Sequence, residues 1–425
     1  MRMLMLSWEY PPHIIGGMGA HVADITPALA AEGVEVVVVT PRLRNGEPDE
    51  TPAPGVRVVR VPVSAVDASS FITFVTQANQ ELERAAIDLY SQVGGFDLIH
   101  THDWLTARAA ISLKQYWRIP LIATIHATER GRGRGALHGE QALHIDSIEW
   151  QLTYEAWRII VCSQFMLRQL HETLRTPLDK IDVVRNGTHL RPNPFASAEE
   201  RLAFRRKYAS DDEYIVFYVG RIVYEKGLHV LLDAWPTVLR HVGARLVIAG
   251  SGPYLDTLKA QARAMGLEKR VIFTGFISDE ERDGLYYVAD VTTFPSLYEP
   301  FGIVVLEAFA AGSPVVVAQT GGLTEVVHKD RTGLFVKPGD AESLAQGILT
   351  TIHCADESCQ RVARARQEVC DLYNWQRIAR ETISIYQQVY TEWQASGWGK
   401  RVLPSPDGPA IVPFGPGTAG GEGCG

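Results

Sequence analysis

The chain is poor in cysteine: five in 425 residues, at positions 162, 354, 359, 370 and 424. They form no paired zinc spacing and their number is odd, so neither a metal staple nor a disulfide framework is expected, and a reducing, cytoplasmic setting is. Long apolar runs are absent too. The best, 302–318, carries Glu307 and is a poor membrane span. Residues 1–8 are apolar, but Glu9 ends that run far short of a secretion signal. Positive charge is not in excess. A formal net charge of -8 gives no support for nucleic-acid binding. No D-x-D carboxylate pair stands ready for a divalent cation, and no short-period repeat is visible.

What is present is an ordinary globular composition, 46% hydrophobic and 21% charged, on a chain too long for one core of usual size. Two domains are expected. Residues 2–7, 34–40, 96–100, 120–125 and 158–163 read as buried strands, with helical stretches such as 20–31 between them. The pattern then restarts. Residues 214–219, 245–249, 271–274, 291–294, 314–318 and 333–336 read as strands, and 228–239, 254–264, 280–288 and 343–352 as helices. Such alternation implies right-handed crossovers and two doubly wound α/β domains. The expected division is 1–192 and 193–374, with a polar junction at 191–206. An amphipathic helix at 375–395 returns to the first domain, and a Gly- and Pro-rich tail without periodicity fills 396–425. Ligands of doubly wound sheets bind beyond the carboxyl ends of the strands, and the polar signals sit there.

Four signals stand out. Gly16-Gly17-Met18-Gly19 follows the first strand and opens a helix. Its backbone N–H groups suit an anion, although the spacing is neither G-x-G-x-x-G nor a P-loop, and a plain glycine turn fits as well. Gly220-Arg221 and Lys226-Gly227 bracket a strand end and a helix start. Two cations there suit a diphosphate leaving group; the alternative is a pair of solvated charges. Glu299-Pro300-Phe301-Gly302-Ile303 leads into an apolar helix that carries Glu307. Ribose hydroxyls or a structural ion pair would each satisfy Glu307, and Glu299 also reads as a helix-start carboxylate. His126 and His102-Asp103-Trp104 end neighbouring strands, which a purely structural histidine does not require.

Together these segments resemble the retaining glycosyltransferases of family 4, over nearly the whole chain to about residue 394. Glu299 and Glu307 match that family's E-x7-E motif. Gly220-Arg221 with Glu225-Lys226-Gly227 matches its diphosphate segment, and Thr320-Gly321-Gly322-Leu323-Thr324-Glu325 the glycine turn that follows. Ser7-Trp8-Glu9-Tyr10-Pro11-Pro12, His102-Asp103-Trp104 and Thr124-Ile125-His126 are most similar to glycogen synthases of bacteria and archaea. The resemblance implies the GT-B fold, two Rossmann-like domains facing across a cleft. It implies a retaining, metal-independent hexosyltransferase that extends an α-glucan from ADP- or UDP-glucose, with no cofactor beyond that co-substrate. It also implies roles. Gly16, Gly17, Arg221, Lys226, Glu299, Phe301, Gly302, Ile303 and Glu307 would bind the donor. His126, Asp103, Glu299, Arg221 and Lys226 would serve catalysis.

The larger bacterial glycogen synthases begin with Lys-x-Gly-Gly. Here Ile14 stands in place of the lysine, so their ADP-glucose preference does not carry over. A small acceptor such as a sugar phosphate, or an envelope glycan, is the rival within the family. A non-catalytic carbohydrate-binding protein is disfavoured by the presence of Arg221, Lys226 and Glu299. The segment Glu129-Arg130-Gly131-Arg132-Gly133-Arg134-Gly135 matches no shared motif and reads as a basic surface loop near His126 that an acceptor could meet.

Overall fold

A computed structural model describes residues 1–64 and 70–400. Among the described residues fourteen strands form two sheets. The first contains β1 (Arg2–Leu6), β2 (Glu35–Pro41), β3 (Asp49–Ala53), β4 (Val56–Val61), β5 (Leu98–His102), β6 (Leu121–Ile125), β7 (Arg158–Val161) and β8 (Ile181–Val183). Its order is β3-β4-β2-β1-β5-β6-β7-β8, parallel except for the β3–β4 pair. The second contains β9 (Tyr214–Val219), β10 (Ala244–Ala249), β11 (Val271–Gly275), β12 (Val291–Phe294), β13 (Val315–Ala318) and β14 (Leu334–Val336). Its order is β11-β10-β9-β12-β13-β14, parallel throughout.

Apart from the edge pair β3 and β4, most of these strands are nearly continuous apolar runs because helices cover both faces of each parallel sheet. In β1 the period of two divides the faces. Leu4 and Leu6 pack with Val75 and Leu82 of the helix Phe71–Val93. Met3 and Met5 pack on the other side with Ile25 of the helix Gly17–Ala31. That second face is shared with the C-terminal helix Trp375–Ser396, which contributes Trp375, Ile378, Tyr386 and Val389 to the same cluster. Each such buried side chain is worth about 1.5–3 kcal/mol, more than enough to hold a returning helix.

The structure corrects several element limits. The first helix begins at Gly17 rather than residue 20, so the glycine segment is itself the helix start. β5 runs through His102 rather than ending at residue 100. β3, β4 and β8 had no counterpart in the sequence reading. Arg57 and Arg60 break up the apolar pattern of β4; Arg60 is nonetheless buried, bonded to Glu50 and to the carbonyls of Pro11 and Glu47. The junction 191–206 holds a helix, Ala198–Arg205. Of the expected tail, Trp398–Lys400 makes a 3-10 turn and 401–425 lie outside the described residues.

In each sheet the strand order reverses beside the first strand of that half, at β1/β5 and at β9/β12. Crevices open at such reversals, and the loops after these strands carry the residues considered next.

Candidate active site

The loop after β1 is braced from beneath. Glu9, 8% exposed, accepts hydrogen bonds at Oε2 from the N–H groups of Ile15 (2.8 Å) and Gly16 (3.0 Å). Burial raises its pKa, while those bonds and nearby Arg221 act against the shift. The loop lies against the second sheet's loops. A Cβ on Gly17 would sit 3.1 Å from Ile303 Cδ1, and one on Gly16 3.5 Å from Arg221 Cδ. Gly16 caps the first helix without a side-chain bond, so the dipole and N–H groups of that end remain for an anion.

Across the cleft, Lys226 Nζ donates to Glu299 Oε2 at 2.7 Å, and Ser296 Oγ donates to the same oxygen at 3.2 Å. The sequence reading gave Lys226 and Glu299 separate partners; the structure joins them. A lysine held by a carboxylate that is 7% exposed is oriented before any ligand arrives. The glycine turn after β13 fixes the carboxylate's backbone. Gly322 N–H donates to the Glu299 carbonyl at 2.8 Å. Gly321 has φ +52°, and a Cβ there would overlap that carbonyl. Arg221 is exposed and makes no ion pair among the described residues. Two uncapped helix starts, at Gly227 and Gly302, complete this side.

Phe301 is 3% exposed and packs its ring against Tyr373, so its side chain belongs to the core. Glu307 already has protein partners: Arg191 Nη2 at 3.2 Å and the Tyr286 hydroxyl at 3.1 Å. Glu307 thus has an ion-pair partner from the junction segment, which sequence alone did not supply.

Asp103 and His126 are brought together by neighbouring strands. His126 N–H donates to Asp103 Oδ1 at 2.7 Å. Asp103 holds φ +56°, an uncommon value for a residue with a side chain and one that marks a constrained site. Burial pushes the Asp103 carboxyl up to about 6, opposed first by the Arg132 guanidinium. A set of histidines lies behind His126. His102 Nδ1 is 3.0 Å from His126 Nε2. His21 Nδ1 meets Asn186 Oδ1 at 2.7 Å. His100 meets Tyr386 Oη and Thr124 Oγ1, each at 2.7 Å. Burial pushes His21, His100 and His126 down to about 3 and His102 well below its ordinary value, so all four are neutral at pH 7. Ring nitrogens of His21, His102 and His126 lie within 4.8 Å of one another, the arrangement nearest to a metal-ligand set among the described residues. The bonds to Asn186 and between His102 and His126 already engage three of those nitrogens.

The arginines that follow His126 are not a loose solvated loop. Arg130 makes a two-pronged pair with Asp146 at 2.6 and 2.8 Å. Arg132 pairs with Glu129 at 3.3 Å and lies near Asp103 and Glu149. Arg134 stacks over Tyr224, 5.4 Å from the ring centroid, next to the Lys226 segment.

Further residues join the two halves, and the sequence reading gave none of them a site role. Ser163 Oγ donates to the Pro300 carbonyl at 2.6 Å, and Tyr298 Oη to Gln169 Oε1 at 2.9 Å. Glu325, from the glycine turn, accepts from Gln164 N–H (2.8 Å) and Phe165 N–H (2.7 Å) and so caps the helix Gln164–Leu174. Ser163 ends a strand in the sequence reading; the structure makes it the N-cap of this helix, a cap shared with a carboxylate from the other sheet.

Known proteins share the sequence and the fold of this chain. The family described as "Glycosyltransferase Family 4" matches residues 15–191, and "Glycosyl transferases group 1" matches 200–369. An uncharacterized glycosyltransferase of Methanocaldococcus jannaschii is 37% identical over 91% of this chain and 98% of its own length. A glycogen synthase of Mycobacterium tuberculosis is 36% identical over 91% of this chain and 94% of its own. The solved sucrose-phosphate synthase of Thermosynechococcus elongatus superposes with a TM-score of 0.79 at 26% identity, covering 92% of this chain and 100% of that one. HepE of Anabaena, solved with UDP-glucose, shares the fold with a TM-score of 0.71 at 21% identity, covering 93% and 100%. The chain belongs to the family-4 glycosyltransferases of GT-B fold.

Proposed function

From that membership we propose that the chain transfers glucose from a nucleotide sugar to an α-glucan, with retention at the anomeric carbon and without a catalytic metal. The observation that carries this reading is the convergence across one cleft of the glycine helix start, exposed Arg221, the Lys226–Glu299 pair and the Asp103–His126 pair. The first three are anion-binding features and suit a diphosphate. The last, the Asp103–His126 pair, lies on the strand ends opposite and suits a hexose. Leaving-group charge is met by Arg221, Lys226 and backbone N–H groups that are fixed in advance, the arrangement that stabilises developing charge most strongly. Attack from the face the nucleotide leaves, with the departing phosphate taking the acceptor proton, needs no protein nucleophile. The glucan acceptor is supported by the glycogen synthase relative. The testing experiment is a released-nucleotide screen of ADP-glucose and UDP-glucose against glycogen, maltooligosaccharides and sugar phosphates. Turnover with glycogen or maltooligosaccharides, giving an α-linked product by NMR, is the expected result. Turnover confined to sugar phosphates would replace the acceptor, and a β-linked product would replace the mechanism.

A further inference from the structure

Behind His126 the structure holds a residue with no part in the reaction as described. His102 is the last residue of β5 and is fully buried. Its Nδ1 lies 3.0 Å from His126 Nε2, close enough for one shared hydrogen. Its Nε2 is enclosed and has no partner. A neutral imidazole carries one proton, on either nitrogen. A proton on Nε2 of His102 would be a buried donor with nothing to receive it. A proton on Nδ1 has an acceptor in place, and the bare Nε2 is then an unmet acceptor, the more tolerable of the two defects. His102 therefore donates, and His126 Nε2 accepts. His126 must then carry its own proton on Nδ1, which takes no hydrogen bond from the described residues.

We infer that His102 is a positioning residue that locks His126 in the Nδ1–H tautomer, so that His126 offers a hydrogen-bond donor to a hydroxyl of the donor hexose. The inference rests on the proposed function only for the identity of that hydroxyl. The surroundings hold His102 in register. His100 lies 4.4 Å away between ring centroids and is itself tied to Tyr386 of the C-terminal helix and to Thr124. His21 lies 5.5 Å from His102 and 4.9 Å from His126, tied to Asn186 and packed against Trp375. The ring plane and tautomer of His126 are thus set from the core of the first sheet and by the returning helix.

Two measurements test this. Nitrogen-15 labelling of histidine, with His126 assigned through a His126→Ala comparison, reads the tautomer of the intact chain directly. The Nδ1–H pattern is expected, and the Nε2–H pattern would overturn the inference without any reference to activity. Kinetics supply the second. His102→Leu removes the donor and should lower kcat by about ten- to a hundredfold. Affinity for the free nucleoside diphosphate, which carries no hexose, should stay within about threefold, because the lost bond is to the hexose. His102→Asn keeps an N–H near the position of Nδ1 and should recover most of the loss. Equal damage from both substitutions, or none from Leu, would sink the positioning role. So would a stoichiometric divalent ion in the purified chain whose removal by EDTA changes the histidine spectrum, since metal would then occupy these nitrogens. A chain that uses no nucleotide sugar at all would instead refute the proposed function and leave the tautomer result standing.

Discussion

At the scale of single residues the structure holds the charges of the candidate site in place without a ligand. Lys226 is fixed by Glu299, and each depends on the other for its position. Lys226→Ala should leave the fold intact by circular dichroism and lower kcat by about a hundredfold to a thousandfold, the usual cost of removing one charge-stabilising donor; near-native turnover would remove Lys226 from the mechanism. Asp103 gives a testable pH dependence. Its pKa is raised to about 6, so the carboxylate gains a proton as pH falls through that value. If the charged form is the working one, kcat/KM drops below about pH 6. Arg132 opposes the shift, so Arg132→Met raises the Asp103 pKa further and moves this acid limb to higher pH. A pH–rate profile of both forms checks the sign, and a limb that stays put would show that another group controls it. Metal dependence is also a residue-scale matter. Single-turnover activity should survive EDTA, and complete loss on chelation would require a diphosphate site other than Arg221 and Lys226.

At the scale of elements, what matters is which helix ends are capped and by what. The helices that start at Gly17, Leu228 and Ile303 have no side-chain cap, and all three begin beside the cleft. The helix Gln164–Leu174 is capped twice, by Ser163 and, from the other sheet, by Glu325. That carboxylate is a clasp between the halves. Glu325→Ala should cost about 1 kcal/mol, the typical worth of a cap. It should also raise donor and acceptor KM together, because the closed arrangement loses two charge-assisted bonds. Thermal unfolding and steady-state kinetics measure the two effects. A stability loss with unchanged KM would mean that the clasp is structural only.

At the scale of the whole molecule, two sheets meet at their switch points, and two segments of chain connect the halves. The outward segment begins at Arg191, tied to Asp283 and Glu307 of the second half. The return passes Tyr373, whose carbonyl accepts from Thr188 N–H at 2.8 Å, and enters the C-terminal helix. Hinges near 191–206 and 373–376 would let the cleft open for acceptor and close against water. Small-angle scattering should show compaction at saturating donor and acceptor. Identical profiles would place closure outside the catalytic cycle.

The sequence alone determined the two-sheet α/β architecture, because hydrophobic runs that alternate with helical stretches leave few other ways to bury both faces of a parallel sheet. It also placed Gly16, Arg221, Lys226 and Glu299 at strand ends, which is where the structure has them. It missed β4, whose buried Arg60 reads as surface until Glu50 and the carbonyls of Pro11 and Glu47 are seen around it. Pairing was decided only by the tertiary structure. Lys226 with Glu299, Glu307 with Arg191, Glu325 with the helix at Gln164, and His102 with His126 are separated by 24 to 161 residues. No local rule connects positions that far apart. Whether a polar side chain is a ligand, a brace or a clasp depends on what the fold sets within about 3 Å of it, the range at which a hydrogen bond forms.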